Sequence, residues 1–120
     1  MTSLVTQTYG DVFAVRIREG KILDEAKIQE LGRELIAVVD KVESKLLLNF
    51  EDVKFMSSGM LGKLILLNKK CKTDNVALKM CNISPDIMEV FRLMRLNKVL
   101  DIYADETKAM RAFEKMKKFA

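Results

Sequence analysis

The chain holds no histidine, no tryptophan, a single proline and only two cysteines among its 120 residues. Without histidine there is no Ser-His-Asp or Cys-His nucleophile system and no imidazole-held metal. Carboxylate or lysine chemistry stays open, so the absence weighs against an enzyme without excluding one. Cys71 and Cys81 are spaced as no zinc pattern requires. They read as small buried apolar side chains, and two free thiols suit a reducing, cytoplasmic compartment. No apolar run approaches the roughly 18 to 20 residues of a membrane-spanning helix. The opening MTSLVTQTYGDVF lacks a basic segment followed by an apolar block, so no secretory signal is read there. Aromatics are scarce at 7%. Lysines gather at Lys69, Lys70 and Lys72 and again at Lys115, Lys117 and Lys118, but neither group contains a pair of aromatics to stack on bases. The net charge of +4 therefore reads as solvated helix faces rather than a nucleic-acid surface, with attraction to an acidic protein as the second reading. No catalytic residue, metal or cofactor is expected.

What is present is enough for one domain. A chain of this length, 49% hydrophobic, can bury about two-thirds of its unfolded surface without staples. Leu4 to Tyr9 and the alternating Val12 to Arg18 predict a hairpin through Gly10-Asp11, with Phe13, Val15 and Ile17 on the better-buried face. Asp24 is the expected cap of a helix whose stripe is Ile28, Leu31, Leu35, Val38 and Val42. Its acids Glu25 and Glu30 suit the helix dipole. The run KLLLNF predicts a strand buried on both faces, as in a parallel or mixed sheet covered by helices. A helix follows with Leu61, Ile65 and Leu66 inward and Lys63 and Lys70 outward, then the strand NVALKMCN. Ser84 and Pro85 occupy the preferred cap and first position of the next helix, with Ile87, Val90, Phe91 and Met94 as its stripe. A short strand at Leu100 to Tyr103 and a last helix from Asp105, carrying Ala109, Phe113 and Met116, complete the pattern. Met56, Met80 and Met94 are expected in the core. Alternating strands and helices after a hairpin imply an α/β domain.

The segment VKFMSSGMLGK turns from strand to helix at two serines. Ser57 or Ser58 could cap the helix by accepting a backbone N–H, or the hydroxyl could be modified. The turn is too short for a phosphate-binding Walker loop and lacks its terminal hydroxyl. Nor is it Gly-x-Ser-x-Gly.

The order of hairpin, helix, LLLNF, VKFMSSGMLGKLI and VALKMCNISPDIMEVFRLMRLNKVLDIYADETKA, from about Val5 to Phe113, strongly resembles the STAS domain of bacterial anti-sigma factor antagonists. The resemblance implies a single STAS-like domain over 1–120, with a mixed sheet of about four to five strands covered by about four helices. It also implies a protein-interaction module without catalysis, switched off when a partner phosphorylates a serine at a helix N-terminus. An ungapped match puts Phe55, Met56, Leu61 and Gly62 on their family positions and Ser58 on the phosphorylated serine. Ser57 then stands on the family's Asp, Gly59 on its second hydroxyl residue and Met60 on its glycine; a shift by one residue would move the site to Ser57. Partner contacts are expected at Ser57, Ser58, Gly59, Met60, Lys63 and Asn82, with Met60 equally readable as core. The implied partners are an anti-sigma factor that is itself a serine-protein kinase, and a PP2C-type phosphatase. The expected form is a cytoplasmic monomer or weak dimer that binds neither nucleic acid nor membrane. The alternative within the same resemblance is a STAS domain that senses a nucleotide or lipid, or that regulates another signalling or transport protein.

Overall fold

A computed structural model describes residues 3–116, so Lys117 and Lys118 of the second lysine group lie outside the described residues. The chain opens with β1 (Leu4–Tyr9) and β2 (Val12–Ile17), an antiparallel hairpin closed by Gly10 at φ +61°. After a two-residue strand β3 (Lys21–Ile22) comes α1 (Glu25–Val39), then β4 (Lys45–Asn49), a second two-residue strand β5 (Phe55–Met56) and α2 (Ser58–Thr73). Next stand β6 (Ala77–Cys81), α3 (Pro85–Leu93), a 3₁₀ turn at Leu96–Lys98, β7 (Ile102–Tyr103) and α4 (Glu106–Met116). Five strands form one mixed sheet in the order β1-β2-β4-β6-β7, parallel throughout except for the β1–β2 pair. Parallel neighbours need crossovers, and α1, α2 and α3 supply them. β3 and β5 pair in parallel as a separate small sheet that the periodicity of the sequence does not announce.

The helices divide between the two faces, which gives the sheet two cores. On one face α1, α2 and α3 bury Ile28, Leu31, Leu35, Met60, Leu61, Leu64, Ile87 and Phe91 against Val15, Ile17, Leu46, Leu48 and Met80. On the other, α4 lays Ala109 and Phe113 over Val12, Ala14, Leu47 and Cys81. β4 is covered on both sides, and every residue of it is buried, as the unbroken apolar run demands. β2 is also covered on both faces, where one better-buried face was expected: Phe13, Val15 and Ile17 pack on the side of α1 to α3, and Val12 and Ala14 lie under α4, leaving Arg16 exposed.

Two buried lysines stand in the parallel strands, Lys45 at the start of β4 and Lys79 in the middle of β6. Lys45 pairs with Asp11 at 2.5 Å. Lys79 pairs with Asp101 at 2.6 Å, reaches the Tyr103 hydroxyl at 3.2 Å and sits 5.2 Å from the Phe113 ring centre. Burial alone would lower the pKa of Lys79; the Asp101 carboxylate and Tyr103 hydroxyl outweigh it, and the net shift is upward.

Several expected core positions are exposed. Leu66 is 52% accessible, because the stripe of α2 runs through Met60, Leu61, Leu64, Leu67 and Cys71 and leaves Leu66 on the cleft toward α1. Val90 and Met94 are 40% and 50% accessible. The nine-residue α3 buries Ile87 and Phe91 fully and Met88 in part, and Arg95 at φ 59° turns the chain so that Leu96 takes the next buried place. Met116, in the last turn of α4, is 40% accessible, beyond the reach of the sheet. Val42 lies past the end of α1, partly buried against the core.

Candidate functional site

The turn between β4 and α2 is fixed by one side-chain bond from Asn49 and a series of main-chain bonds. Asn49 Oδ1 accepts the Glu51 N–H at 2.8 Å, and the Phe50 carbonyl accepts that of Val53 at 2.9 Å. The Gly20 carbonyl takes the N–H groups of both Lys54 and Phe55, at 2.8 and 3.1 Å. The Ile22 carbonyl then takes the Ser57 N–H at 3.0 Å. The small β3–β5 sheet thus clamps the chain just ahead of the serines. These bonds fix the backbone that leads into the serines.

Ser57 occupies the cap position with extended backbone, φ −79° and ψ 164°, yet its hydroxyl makes no capping bond. The Met60 N–H closes the first turn onto the Ser57 carbonyl, at 3.1 Å. Ser58 is the first helical residue and is exposed, as is Gly59; Ser57 is half-buried. No acid stands in this first turn. The helix start therefore keeps unpaired N–H groups and positive partial charge beside an accessible hydroxyl. A Cβ on Gly59 would meet Ile28 Cδ1 at 3.5 Å, ordinary contact, so close packing does not explain the glycine.

The other expected contacts divide. Met60 is fully buried and belongs to the core. Lys63, expected outward, lies half-buried across α1: its Nζ donates to Gln29 Oε1 at 2.9 Å, and its Cδ stands 2.8 Å from where a Cβ on Gly32 would be. The missing side chain at Gly32 is what lets the lysine stem lie there. Asn82 follows β6 in the left-handed region, φ 60°, which Asn tolerates better than most residues. It is half-buried and its Oδ1 is enclosed without a hydrogen-bond partner among the described residues. The Phe50 N–H donates to the Cys81 carbonyl at 3.0 Å, which brings this loop alongside the start of the serine turn.

Two exposed side chains flank the serines: Phe55, which the family resemblance puts on a family position, and Leu23, which the sequence pattern does not single out. Phe55 is 52% and Leu23 55% accessible, and Lys21 Nζ lies 5.8 Å from the Phe55 ring centre. An exposed aromatic with a cation on it and a neighbouring leucine make an apolar border to the hydroxyl. Leu23 carries no sequence signal, because it follows a strand of two residues, too short for its period to show.

The lysines of α2 are solvated or paired, as expected: Lys69 and Lys72 are exposed, and Lys70 bridges Asp74 at 3.0 Å and Asp40 at 3.4 Å. Both cysteines are buried, and burial pushes their thiols up to about 11 for Cys71 and about 12 for Cys81. Protonated at neutral pH, they are poor nucleophiles. Among the described residues no group of histidine, cysteine or acidic side chains is placed to hold a metal, and no helix is long and apolar enough to cross a membrane.

The STAS domain model matches residues 3–109. A candidate anti-sigma factor antagonist of Bordetella bronchiseptica, BtrV, is 26% identical over 93 residues, which is 78% of this chain and 80% of that protein. An anti-sigma factor antagonist from Mycobacterium paratuberculosis superposes with a TM-score of 0.79 at 20% identity, over 91% of each chain. SpoIIAA of Bacillus in its phosphorylated form superposes with a TM-score of 0.66 at 16% identity, over 91% of this chain and 98% of that one.

Proposed function

The chain belongs to the STAS domain family, with the fold of the anti-sigma factor antagonists, and from that premise we propose that it is a partner-docking module switched by phosphate on Ser58. The partner would be an anti-sigma factor that carries serine-kinase activity, and a PP2C-type phosphatase would restore the binding form. The domain itself would do no chemistry. The observation that carries this reading is the exposed Ser58 hydroxyl on the first residue of α2, clamped in place by β3 and β5 and bordered by exposed Phe55 and Leu23. Relatives support it as well: SpoIIAA is a named antagonist that occurs in phosphorylated and unphosphorylated forms.

Ser58 is preferred over Ser57 on exposure. A kinase must bring its phosphoryl donor in line with the attacking oxygen, and the half-buried Ser57 hydroxyl is less open to it. Phosphate adds about −1.5 to −2 charges and three acceptor oxygens. On the open start of α2 the domain tolerates that charge, because N–H dipoles face it and no acid in the first turn opposes it. A partner pressed onto Phe55, Leu23 and a neutral hydroxyl would have to desolvate it. Docking then weakens while the fold stays intact.

Phosphopeptide mass spectrometry on the protein from its own cells locates the phosphate. Calorimetry against an anti-sigma kinase of the same organism then compares wild type, Ser58→Ala and Ser58→Asp. The expected result is phosphate on Ser58, near wild-type affinity for Ser58→Ala and loss for Ser58→Asp, all three melting within a few degrees. Equal affinities for the three would overturn the switch.

A further inference from the structure

The two edges of the five-stranded sheet are unlike. β7 is an edge of two residues, Ile102 and Tyr103, too short to template another strand. β1, at the other edge, is six residues long, LVTQTY, with no charge and no proline. Natural edges of that length are usually blunted by lysine, proline or a bulge, and β1 pairs with β2 without interruption from Leu4↔Ile17 to Tyr9↔Val12. Its ladder phase is fixed by the Arg18 N–H donating to the Ser3 carbonyl at 2.7 Å. Ser3 is thus in a hydrogen-bonded pair. By alternation the main-chain groups of Val5, Gln7 and Tyr9 turn to β2, while those of Thr6 and Thr8 turn outward. Val5, Thr6, Gln7 and Thr8 are all exposed; only the ends of β1 join the cores, Leu4 on the side of α1 to α3 and Tyr9 on the side of α4.

We propose that β1 is the contact between two copies of this chain, paired antiparallel about a two-fold axis at Gln7 to extend the sheet through both molecules. The occupant is argued from the strand's self-complementarity. A two-fold axis normal to the sheet keeps each face on its own side, so only residues of the same face can stand opposite each other. Any centre on a residue satisfies this, and centring on Gln7 sets the two outward threonines opposite each other. Thr6 meets Thr8 of the partner copy twice as hydrogen-bonded pairs, which consumes the outward amides and carbonyls. Val5 meets Tyr9 twice, a β-branched residue against an aromatic, a favourable cross-strand combination. Gln7 meets Gln7. The Tyr9 hydroxyl already donates to Gln7 Oε1 at 2.9 Å, which leaves the amide N–H groups and a second lone pair of each Gln7 for a reciprocal pair across the axis. No charge is placed opposite a like charge. The contact is small and leaves the serine turn, at the carboxyl end of β4, uncovered, so it stands or falls separately from the switch.

Sedimentation equilibrium of the full chain, from about 5 to 500 µM, reads the association. Hydrogen exchange of the Thr6 and Thr8 amides should slow over the same range. Gln7→Lys sets two ammonium groups face to face, and Thr8→Pro removes an outward N–H that β2 does not use. Each should weaken dimerisation by roughly tenfold or more while circular dichroism stays native. Gln7→Cys should oxidise to a covalent dimer, because facing Cα atoms of such a pair stand about 4.5 Å apart, within disulfide reach. Val5→Cys should not, since the two copies would lie about 14 Å apart along the strands. A monomer at every concentration overturns the proposal, as do a dimer indifferent to both substitutions and equal cross-linking of the two cysteine variants. A monomer whose Thr6 and Thr8 amides are protected only when a different protein is added also overturns it, and gives the edge to that protein.

Discussion

Two helices of this domain begin with a serine at the carboxyl end of a parallel strand, and they use it differently. At α3, Ser84 Oγ accepts the Ile87 N–H at 3.3 Å, Pro85 fills the first position and Asp86 stands in the first turn. Each familiar device for starting a helix is in use. At α2, Ser57 makes no cap bond, the first turn has no acid, and the following Ser58 is exposed. What holds α2 in place is the main chain of β3 and β5 before it and Met60 beneath it. A helix start secured from outside can leave its own hydroxyl unused, and an unused hydroxyl is what a modifying enzyme needs.

The contrast is sharpened most by Met60, which anchors the first turn of α2. Met60→Ala should cost about 2 to 5 kcal/mol in urea unfolding, the range of a buried methionine truncation. A change well under 1 kcal/mol would mean that Met60 is available to a partner after all. Next in size is docking: Ser58→Asp should weaken the partner complex by roughly 30-fold, about 2 kcal/mol. Ser84→Asp, which keeps a good cap, should leave affinity unchanged in the same titration. Equal losses at both positions would erase the distinction between the two starts. The cap bonds come third: Ser84→Ala should cost about 1 kcal/mol, whereas Ser57→Ala, with no bond to lose, should fall within a few tenths. Smallest is Ser57→Asp, which adds a carboxylate to an uncapped helix start and should stabilise the fold by about 0.5 kcal/mol, read as a small rise in melting temperature.

How much of this was legible beforehand follows the length over which a signal repeats. α1 announced itself through Asp24, which does accept the Lys27 N–H at 3.0 Å, and through Ile28, Leu31, Leu35 and Val38, all buried. β4 was evident from its apolar run. The STAS resemblance rested on the order of many such segments, and the mixed sheet with four helices agrees with it. By contrast β3 and β5 have two residues each, too few to show any period, so Leu23 carries no sequence signal and Phe55 carries only its place in the family match. Leu66 lies beside the buried stripe of α2, on the cleft toward α1, and Met94 and Met116 lie past the buried stripes of α3 and α4. Periodicity counts apolar residues along a helix but carries no information on where the neighbouring element ends. Lys63 was placed outward by the same arithmetic, and a glycine on another helix drew it in.

The sequence by itself determined the class of fold, the caps at Asp24 and Ser84, the inertness of two cysteines without ligand-forming neighbours, and the place where chain turns from sheet to helix at two serines. These depend on spacing and local hydrogen-bonding chemistry, which residues carry with them. Only the tertiary structure decided that the Ser57 hydroxyl goes uncapped, that Ser58 faces solvent while Met60 does not, that a small second sheet clamps the turn, and that β1 is left as a long uncharged edge. Each of those depends on segments far apart in the chain coming within a few ångströms of one another, and no local pattern of residues encodes that distance.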